Sequence, residues 1–318
     1  MKILITGVAG FIGFSMCEYF LKKKYSIIGI DNLDDYYSVK LKKKRVNILK
    51  KHKNFTFFNI DLMDKIKIKK IIDKNNFKFI FHFAAQAGVR YSKKNPQKYI
   101  NSNIISFINL MENIKSRKIK KFIYASSSSV YGNSKKFPCN ESQELEPINI
   151  YSKSKKFNEK IASYYSKKYR INMIGLRFFT IFGEWGRPDM LLIKMFEAIR
   201  NKKKLQINNY GNHHRDFTYI GDVKKIFDKL LNKRIPGHKI FNVCSSKPLS
   251  ILHICNNFKN KNLKIKKIAK HSADVLKTYG SNKKIKSLTS IEFVNQMKEI
   301  NKLYYWYNKI NMHKYLEK

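Results

Sequence analysis

Residues Lys2-Ile3-Leu4-Ile5-Thr6-Gly7-Val8-Ala9-Gly10-Phe11-Ile12-Gly13 decide the fold. Three apolar residues suited to a strand, Ile3 to Ile5, precede three glycines at a spacing of three, and residues 14–21 then read as a helix. The pattern is strand, turn, helix. Each glycine meets a separate need: a tight turn at Gly7, close approach of the backbone to a diphosphate at Gly10, and close packing of helix on strand at Gly13. The helix start behind them offers free N–H groups and the positive end of a dipole to phosphate. A second apolar run, residues 25–30, ends in Asp31, placed to accept a hydrogen bond from a ribose 2′-hydroxyl. A 2′-phosphate would be repelled there, so the stretch predicts NAD rather than NADP.

The chain of 318 residues is long enough for one large domain or two intimately joined ones. Its formal charge of +44 normally suggests a nucleic-acid partner. Of the 66 basic residues, however, 57 are Lys spread along the whole length, and Asn, Ile, Phe and Tyr are abundant beside them. That is the signature of A/T-rich codons on a solvated surface, and no specific nucleic-acid partner is expected. Only nine residues are Arg, and four of these, Arg90, Arg177, Arg187 and Arg215, fall in motif stretches where a planar bidentate fork cannot be replaced by Lys. Cys17, Cys139, Cys244 and Cys255 lack metal-site or disulfide-framework spacing and read as buried thiols. No metal is expected. The chain starts directly on a strand and has no apolar run approaching 18 residues, which points to a soluble, cytoplasmic protein without membrane contact.

Beyond Asp31, a Lys-rich helix is expected over 39–51 and a third strand over 55–60, ending at Asp61-Leu62. Asp61 suits either adenine contact or the N-cap of a helix starting near Met63. Residues 77–83 form a fourth, fully apolar strand followed by Ala84-Ala85, small enough for a cofactor to pass beside the backbone. A long amphipathic helix is read over 96–116, with Asn101 and Asn103 inside it, and residues 122–125 make a fifth strand that ends in Ser126 to Ser129. Strands alternating with helices at this rhythm predict a doubly wound parallel sheet of Rossmann type.

The chemistry enters at Tyr151 and Lys155. Four residues apart on a helix, they share a face, and an ammonium close to a phenol favours the phenolate, bringing a group whose reference pKa is about 10 towards working pH. Tyr151 is then a candidate general base. Tyr and Lys are so common here that this spacing could arise by chance. The order of glycine turn, acidic strand end, serine-rich strand end and then Tyr-Lys gives the pair its meaning.

These residues resemble the extended short-chain dehydrogenase/reductase superfamily, in particular its nucleotide-sugar epimerases, over residues 1–222. Within that group the resemblance points to UDP-glucuronate 4-epimerases. It is carried by Asp31-Asn32-Leu33-Asp34-Asp35-Tyr36-Tyr37, by the run from His82 to Tyr91, by Ala125 to Gly132, by Leu176 to Gly183 and by Trp185-Gly186-Arg187-Pro188-Asp189-Met190. The resemblance implies reversible, NAD-dependent 4-epimerisation of a UDP-hexose through a 4-keto sugar, most specifically UDP-glucuronate to UDP-galacturonate for surface polysaccharide synthesis, and a homodimer. A UDP-galactose or UDP-N-acetylhexosamine 4-epimerase is the alternative, followed by a decarboxylating UDP-glucuronate enzyme. A catalytically silent NAD-binding protein with a polyanion-binding surface is the alternative of another class. Dehydratases of the superfamily carry Thr-Asp-Glu where this chain has serines, which argues against dehydration.

Carried over residue by residue, the catalytic set is Tyr151, Lys155 and Ser127, with Ser126 and Ser128 near enough that the register could slip by one. The cofactor set is Gly7, Gly10, Phe11, Ile12, Gly13, Asp31, Asn32, Asp61, Leu62, Ala84, Ala85, Tyr151 and Lys155. The substrate set is Gln86, Arg90, Ser128, Ser129, Thr180, Arg187, Arg215 and Asp274. The expected layout is an NAD-binding domain of residues 1–176 to which 216–244 return, and a smaller, discontinuous C-terminal sugar-nucleotide domain of 177–215 and 245–318. Glu184 for the family's Pro, Gly221 for Asp, Ala273 for Gly, and Tyr279-Gly280-Ser281 for Tyr-Ala-Asp are departures on the substrate side.

Overall fold

The computed structural model describes residues 1–269 and 275–317. Six strands alternate with helices in its first two thirds: β1 Lys2–Thr6, β2 Ser26–Asp31, β3 Phe55–Asn59, β4 Phe79–His82, β5 Lys121–Ser127 and β6 Met173–Phe178. Three short strands follow, β7 Thr180–Phe182, β8 Lys204–Ile207 and β9 His214–Arg215, then β10 Phe217–Tyr219 and β11 His238–Val243. The last two are β12 Leu249–Ser250 and β13 Lys264–Lys267. Seven of them form one sheet in the order β11-β6-β5-β4-β1-β2-β3, every pairing parallel.

Alternation along β1 shows why the sheet is apolar on both faces. Ile3 and Ile5 pack on one side with Phe14, Phe20 and Phe227, whereas Leu4 packs on the other with Ile80, Phe107 and Phe122. Helices cover each layer, as a parallel sheet requires. A third core, built on Phe182, Phe196, Phe217, Ile300 and Tyr307, lies under the short strands and the helix Gln296–Lys309. Trp306 packs edge-on to Trp185 there, 5.4 Å between ring centroids, as core rather than as an open stacking platform. All four cysteines are buried free thiols. Among the described residues, no helix is long and apolar enough to cross a membrane.

Strand order reverses at β1, which pairs with β2 on one side and β4 on the other, and a crevice opens at such a switch point beyond the carboxyl ends of the strands. The glycine turn sits in that crevice. Gly7 has φ +77°, and a Cβ on it would lie 2.6 Å from the backbone nitrogen of Ala84. A Cβ on Gly13 would lie 2.1 Å from the carbonyl oxygen of Gly7, so the helix Phe11–Lys22 can seat against β1 only without one.

Two elements differ from the sequence expectation. Asp61 does not cap the following helix; Asp64 does, accepting from the Lys67 amide at 3.0 Å, and the helix is Lys65–Asp73. Asp61 instead accepts from the Met63 amide and from Asn32 Nδ2 at 2.7 Å, which fixes it at the crevice mouth. The long helix over 96–116 is divided: Pro96–Tyr99 and Ser106–Ile114 are α-helical, and Ile100–Ile105 between them is a π turn. Its wider winding turns Asn103 inward, a use to which single π turns are commonly put.

Replacing Gly13 by Ala should cost about 1–3 kcal/mol of stability through overpacking against the Gly7 carbonyl. Thermal unfolding of the purified variant checks this, together with its retained NAD, which should fall; a melting temperature and NAD content equal to wild type would contradict the packing.

Candidate active site

The helix Ile150–Tyr169 carries the Tyr-Lys pair, and its first turn is closed by a reciprocal cap: Asn149 Oδ1 accepts from the Ser152 amide and Ser152 Oγ accepts from the Asn149 amide. A start fixed in this way places Tyr151 in the first turn beside the end of β5. Lys155, one turn further, is 2% exposed and donates from Nζ to the carbonyl of Ala125 at 2.9 Å. Both residues line one cleft with Gly7, Gly10, Phe11, Ile12, Gly13, Asp31, Asn32, Asp61, Leu62, Ala84, Ala85, Gln86, Ser127 and Arg187. The crevice thus gathers every residue of the expected catalytic and cofactor sets.

The three serines differ in where each hydroxyl goes. Ser126 is buried and donates to Glu159 Oε1 at 2.5 Å, away from the Tyr151 phenol. Ser127 accepts from the amide and the hydroxyl of Ser129, at 3.2 and 2.9 Å, which leaves its own proton to give. A hydrogen bond between Ser127 and Tyr151 holds the phenol pKa down against its burial. Ser128 opens the 3-10 turn Ser128–Tyr131 and is half-buried, as is Ser129.

The electrostatics differ from what the four-residue spacing predicts. Burial pushes the Tyr151 pKa up, and the groups that oppose it are the Ser127 hydroxyl and the charge of Arg187, not Lys155. Lys155 is itself pulled down to about 8, because burial penalises its ammonium more than the carboxylate of Glu159 supports it. Lys155 is therefore held as a hydrogen-bond donor at a strand end, and the pull on the phenol comes from across the cleft.

Glu159, one turn beyond Lys155, forms a bidentate pair with Arg177 at the end of β6, Nε to Oε1 2.9 Å and Nη2 to Oε2 2.8 Å, both side chains under a tenth exposed. Arg177 also donates to the Tyr131 hydroxyl at 2.9 Å, and Tyr131 donates to Asn242 on β11 at 2.7 Å. The pair and its neighbours join the catalytic helix to β5, β6 and β11. Arg177 is thus a structural grip rather than a substrate contact.

The cofactor half is built for an anionic dinucleotide. Asp31 Oδ2 accepts from the Ala9 amide and Oδ1 from the Leu33 amide, both at 2.9 Å, so the carboxylate is fixed at the strand end. Burial raises its pKa, opposed first by the charge of Lys42 and then by these amides. Gln86 is held by Asn103, whose Oδ1 accepts from the Gln86 amide at 2.7 Å and whose Nδ2 donates to the Gln86 carbonyl at 3.2 Å and to Ser154 Oγ at 2.9 Å. Asn103 is fully buried, and its one signal in the sequence is an Asn set inside an apolar helical stripe.

The substrate set is brought together only in part. Arg187 lines the cleft, with Nε and Nη2 on the carboxylate of Asp189 at 2.9 and 2.7 Å, and Tyr36 donates to the same carboxylate at 3.2 Å. Thr180 starts β7 between the cleft-lining Phe179 and Ile181 without lining the cleft itself. Its amide donates to the carbonyl of Asp216 at 3.0 Å. Arg90 is exposed at the start of the short helix Tyr91–Lys94, outside the cleft lining. Arg215 on β9 is outside the cleft lining and donates from Nη1 to the carbonyls of His214 and Leu276 at 3.0 Å each. Asp274 lies outside the described residues. Two departures prove to be neighbours: a Cβ on Gly221 would lie 2.4 Å from the ring of Tyr219, whose hydroxyl donates to Glu184 at 2.8 Å.

Residues 3–244 match the model of the NAD dependent epimerase/dehydratase family. The chain belongs to that family. NAD is accordingly its cofactor, and the glycine turn, Asp31 and the Tyr151–Lys155 helix form a cleft of the right chemistry for it. The chain is 36% identical over 294 residues to a UDP-glucuronate 4-epimerase of Thermodesulfobacterium geofontis, covering 91% of this chain and 90% of that one. It is 39% identical over 279 residues to the protein CapI of Staphylococcus aureus, covering 82% and 83%. Among solved structures it resembles the UDP-glucuronic acid 4-epimerase of Bacillus cereus in complex with UDP-glucuronic acid and NAD, with TM-score 0.91, 29% identity, and 98% and 100% of the two chains covered.

The Lys155 environment sets a pH test on the ligand-free protein. Its folded pKa of about 8 lies below the unfolded value, so the unfolded chain binds the extra proton and the penalty is fully present below pH 8 and fades as pH rises towards 10.5. Lys155→Met should therefore raise stability at pH 7, by roughly 1–3 kcal/mol. In denaturant titrations the gap between variant and wild type should close between pH 8 and 10.5; a constant gap would mean that Lys155 is not penalised by burial.

Proposed function

We propose that this NAD-dependent nucleotide-sugar 4-epimerase interconverts UDP-glucuronate and UDP-galacturonate. The observation that carries the reading is the convergence of Tyr151, Ser127 and Arg187 at the end of a glycine-lined dinucleotide crevice. Bound NAD supplies reversible hydride exchange at the sugar C4 carbon. Tyr151 takes the proton of the C4 hydroxyl directly, or through Ser127 once the sugar hydroxyl replaces the Ser129 hydroxyl as donor to Ser127 Oγ, the Ser127 proton then passing to Tyr151. Lys155, anchored on the Ala125 carbonyl, holds the ribose next to the reacting carbon. Arg187 grips the diphosphate side and keeps positive charge near the phenol. The 4-keto sugar turns in the cleft and is reduced on its other face, so the protein ends each cycle unchanged.

The choice of a hexuronate rests on neutral donors. A carboxylate shut into a cleft must be hydrogen-bonded, because leaving it unpaired costs several kcal/mol. Ser127 lines the cleft, and Ser128, Ser129 and, at the start of β7, Thr180 flank that lining; their hydroxyls are rotatable donors that would turn into the cleft to follow the group through both orientations of the ring. A fixed cation would resist that rotation and would stabilise the charge that develops on decarboxylation. The likeness to UDP-glucuronate 4-epimerases supports the same substrate. The product is a UDP-hexuronate of the kind consumed in building polysaccharides. Exposed Phe157 and Tyr164 on the helix Ile150–Tyr169 support pairing of two copies along it.

The test is kcat/KM measured side by side on UDP-glucuronate, UDP-glucose and UDP-N-acetylglucosamine. UDP-glucuronate should lead by at least about a hundredfold, the scale of a lost hydrogen-bond set to a charged group. Thr180→Val should lower the UDP-glucuronate value by roughly ten- to a hundredfold and leave any activity on neutral sugars nearly unchanged. Equal losses on all sugars would mean that Thr180 does not read the carboxylate, and a lead by a neutral sugar would replace the substrate assignment.

A further inference from the structure

Arg45 lies in the Lys-rich helix Val39–Leu49, among Lys40, Lys42, Lys43 and Lys44, as one of only nine arginines in the chain. It is fully buried, and among the described residues no carboxylate lies within ion-pair distance of it. Its guanidinium is spent on backbone carbonyls from two separate parts of the molecule. Nη1 donates to the carbonyl of Ala9 in the glycine turn at 2.7 Å and to the Tyr37 hydroxyl at 2.8 Å. Nη2 donates to the carbonyl of Trp185 at 2.5 Å and to that of Gly186 at 3.2 Å, while Nε has no hydrogen-bond partner among the described residues.

Both ends of this bridge matter to binding. Ala9 gives its amide to Asp31 and its carbonyl to Arg45, so the peptide groups flanking the glycine turn are fixed from both sides. Trp185 has φ +59°, a conformation that a bulky side chain adopts only when its surroundings impose it. Close behind it in the chain comes Arg187, at the cleft wall and paired with Asp189. A buried guanidinium without an ion-pair partner is costly in itself, and the negative charge set against it from a distance is that of Asp31, whose carboxyl Arg45 helps to hold down at the same glycine turn.

We infer that Arg45 is a positioning residue that couples the two halves of the site: it ties the glycine turn that receives NAD to the Trp185–Gly186 backbone that aims Arg187 at the sugar nucleotide. Lys cannot stand in, because a single ammonium cannot span the Ala9 and the Trp185 and Gly186 carbonyls in one plane. The inference rests on the reading of Arg187 as a nucleotide-sugar contact. It does not depend on which hexose is turned over, so it is tested by binding with UDP alone as probe.

Calorimetry on the NAD-free and NAD-loaded protein measures UDP affinity in wild type, Arg45→Lys, Arg187→Lys and the double variant, with circular dichroism and melting temperature recorded for each. In wild type, NAD should tighten UDP binding, and in Arg45→Lys the two affinities should become independent. Arg187→Lys should weaken UDP by about tenfold in wild type and by less than about threefold in the Arg45→Lys background, because coupled residues do not add. NAD retained through gel filtration should fall in Arg45→Lys. Additive losses, or a lowered melting temperature with the NAD–UDP coupling intact, would overturn the inference in favour of a purely structural role. Should Arg45→Lys not fold, wild type alone decides: NAD without UDP should slow amide exchange across residues 183–190, and an unchanged rate there would overturn it.

Discussion

The buried pair of Glu159 and Arg177 is the constraint on which the site depends. It fastens the middle of the catalytic helix to the end of β6, and through Ser126 and Tyr131 it reaches β5 and β11. Two charges are costly to bury, and breaking such a pair by removing one partner typically costs about 3–5 kcal/mol. The cost is offset because every oxygen of Glu159 is satisfied and the Arg fork is matched in plane. What the pair secures is position. Tyr151 lies two turns before Glu159, and with that helix fixed the phenol meets Ser127 at the end of the neighbouring strand rather than sweeping the cleft.

The lysine-rich surface hides a sharp division of labour between the two basic side chains. Most of the 57 lysines stay on the solvated outside, while Arg45, Arg177 and Arg187 reach inward, each making several directional hydrogen bonds. A planar fork with five donors can satisfy paired oxygens or several carbonyls at once, which a flexible ammonium cannot do. The net charge is therefore a property of the surface, and the function is carried by a few forks inside it. Among the described residues, Lys155 and Lys42 are the lysines that line the cleft, and burial penalises the ammonium of Lys155 there.

The parts of this design that are local in sequence were legible in it. The glycine turn, the acidic end of β2, the serine-rich end of β5 and the Tyr-Lys spacing are each set within a few residues, and the cleft brings all of them together. What escaped depends on contacts between distant residues. Asn103 acts through a π turn that shifts its face, Arg45 through carbonyls 36 and 140 positions away, and Glu159 through a strand end that only the fold brings near. Helical spacing says only that Lys155 and Tyr151 share a face; how far each is buried, and what faces it from other elements, sets the direction in which its pKa moves. The strands β8 to β10, β12 and β13 are two to four residues long, too short for periodicity to reveal them.

At the centre of the proposed chemistry, the hydride removed from C4 of UDP-glucuronate stays within the site and returns to the same carbon without exchange with water, which bound NAD would make possible. Incubating the purified protein, with no added cofactor, with UDP-glucuronate carrying deuterium at C4 and reading the product by NMR tests this most directly. The expected product is UDP-galacturonate with the deuterium still on C4 and no net accumulation of NADH. Loss of the label to solvent, a pentose product, or no conversion of this sugar by protein that retains NAD would contradict it.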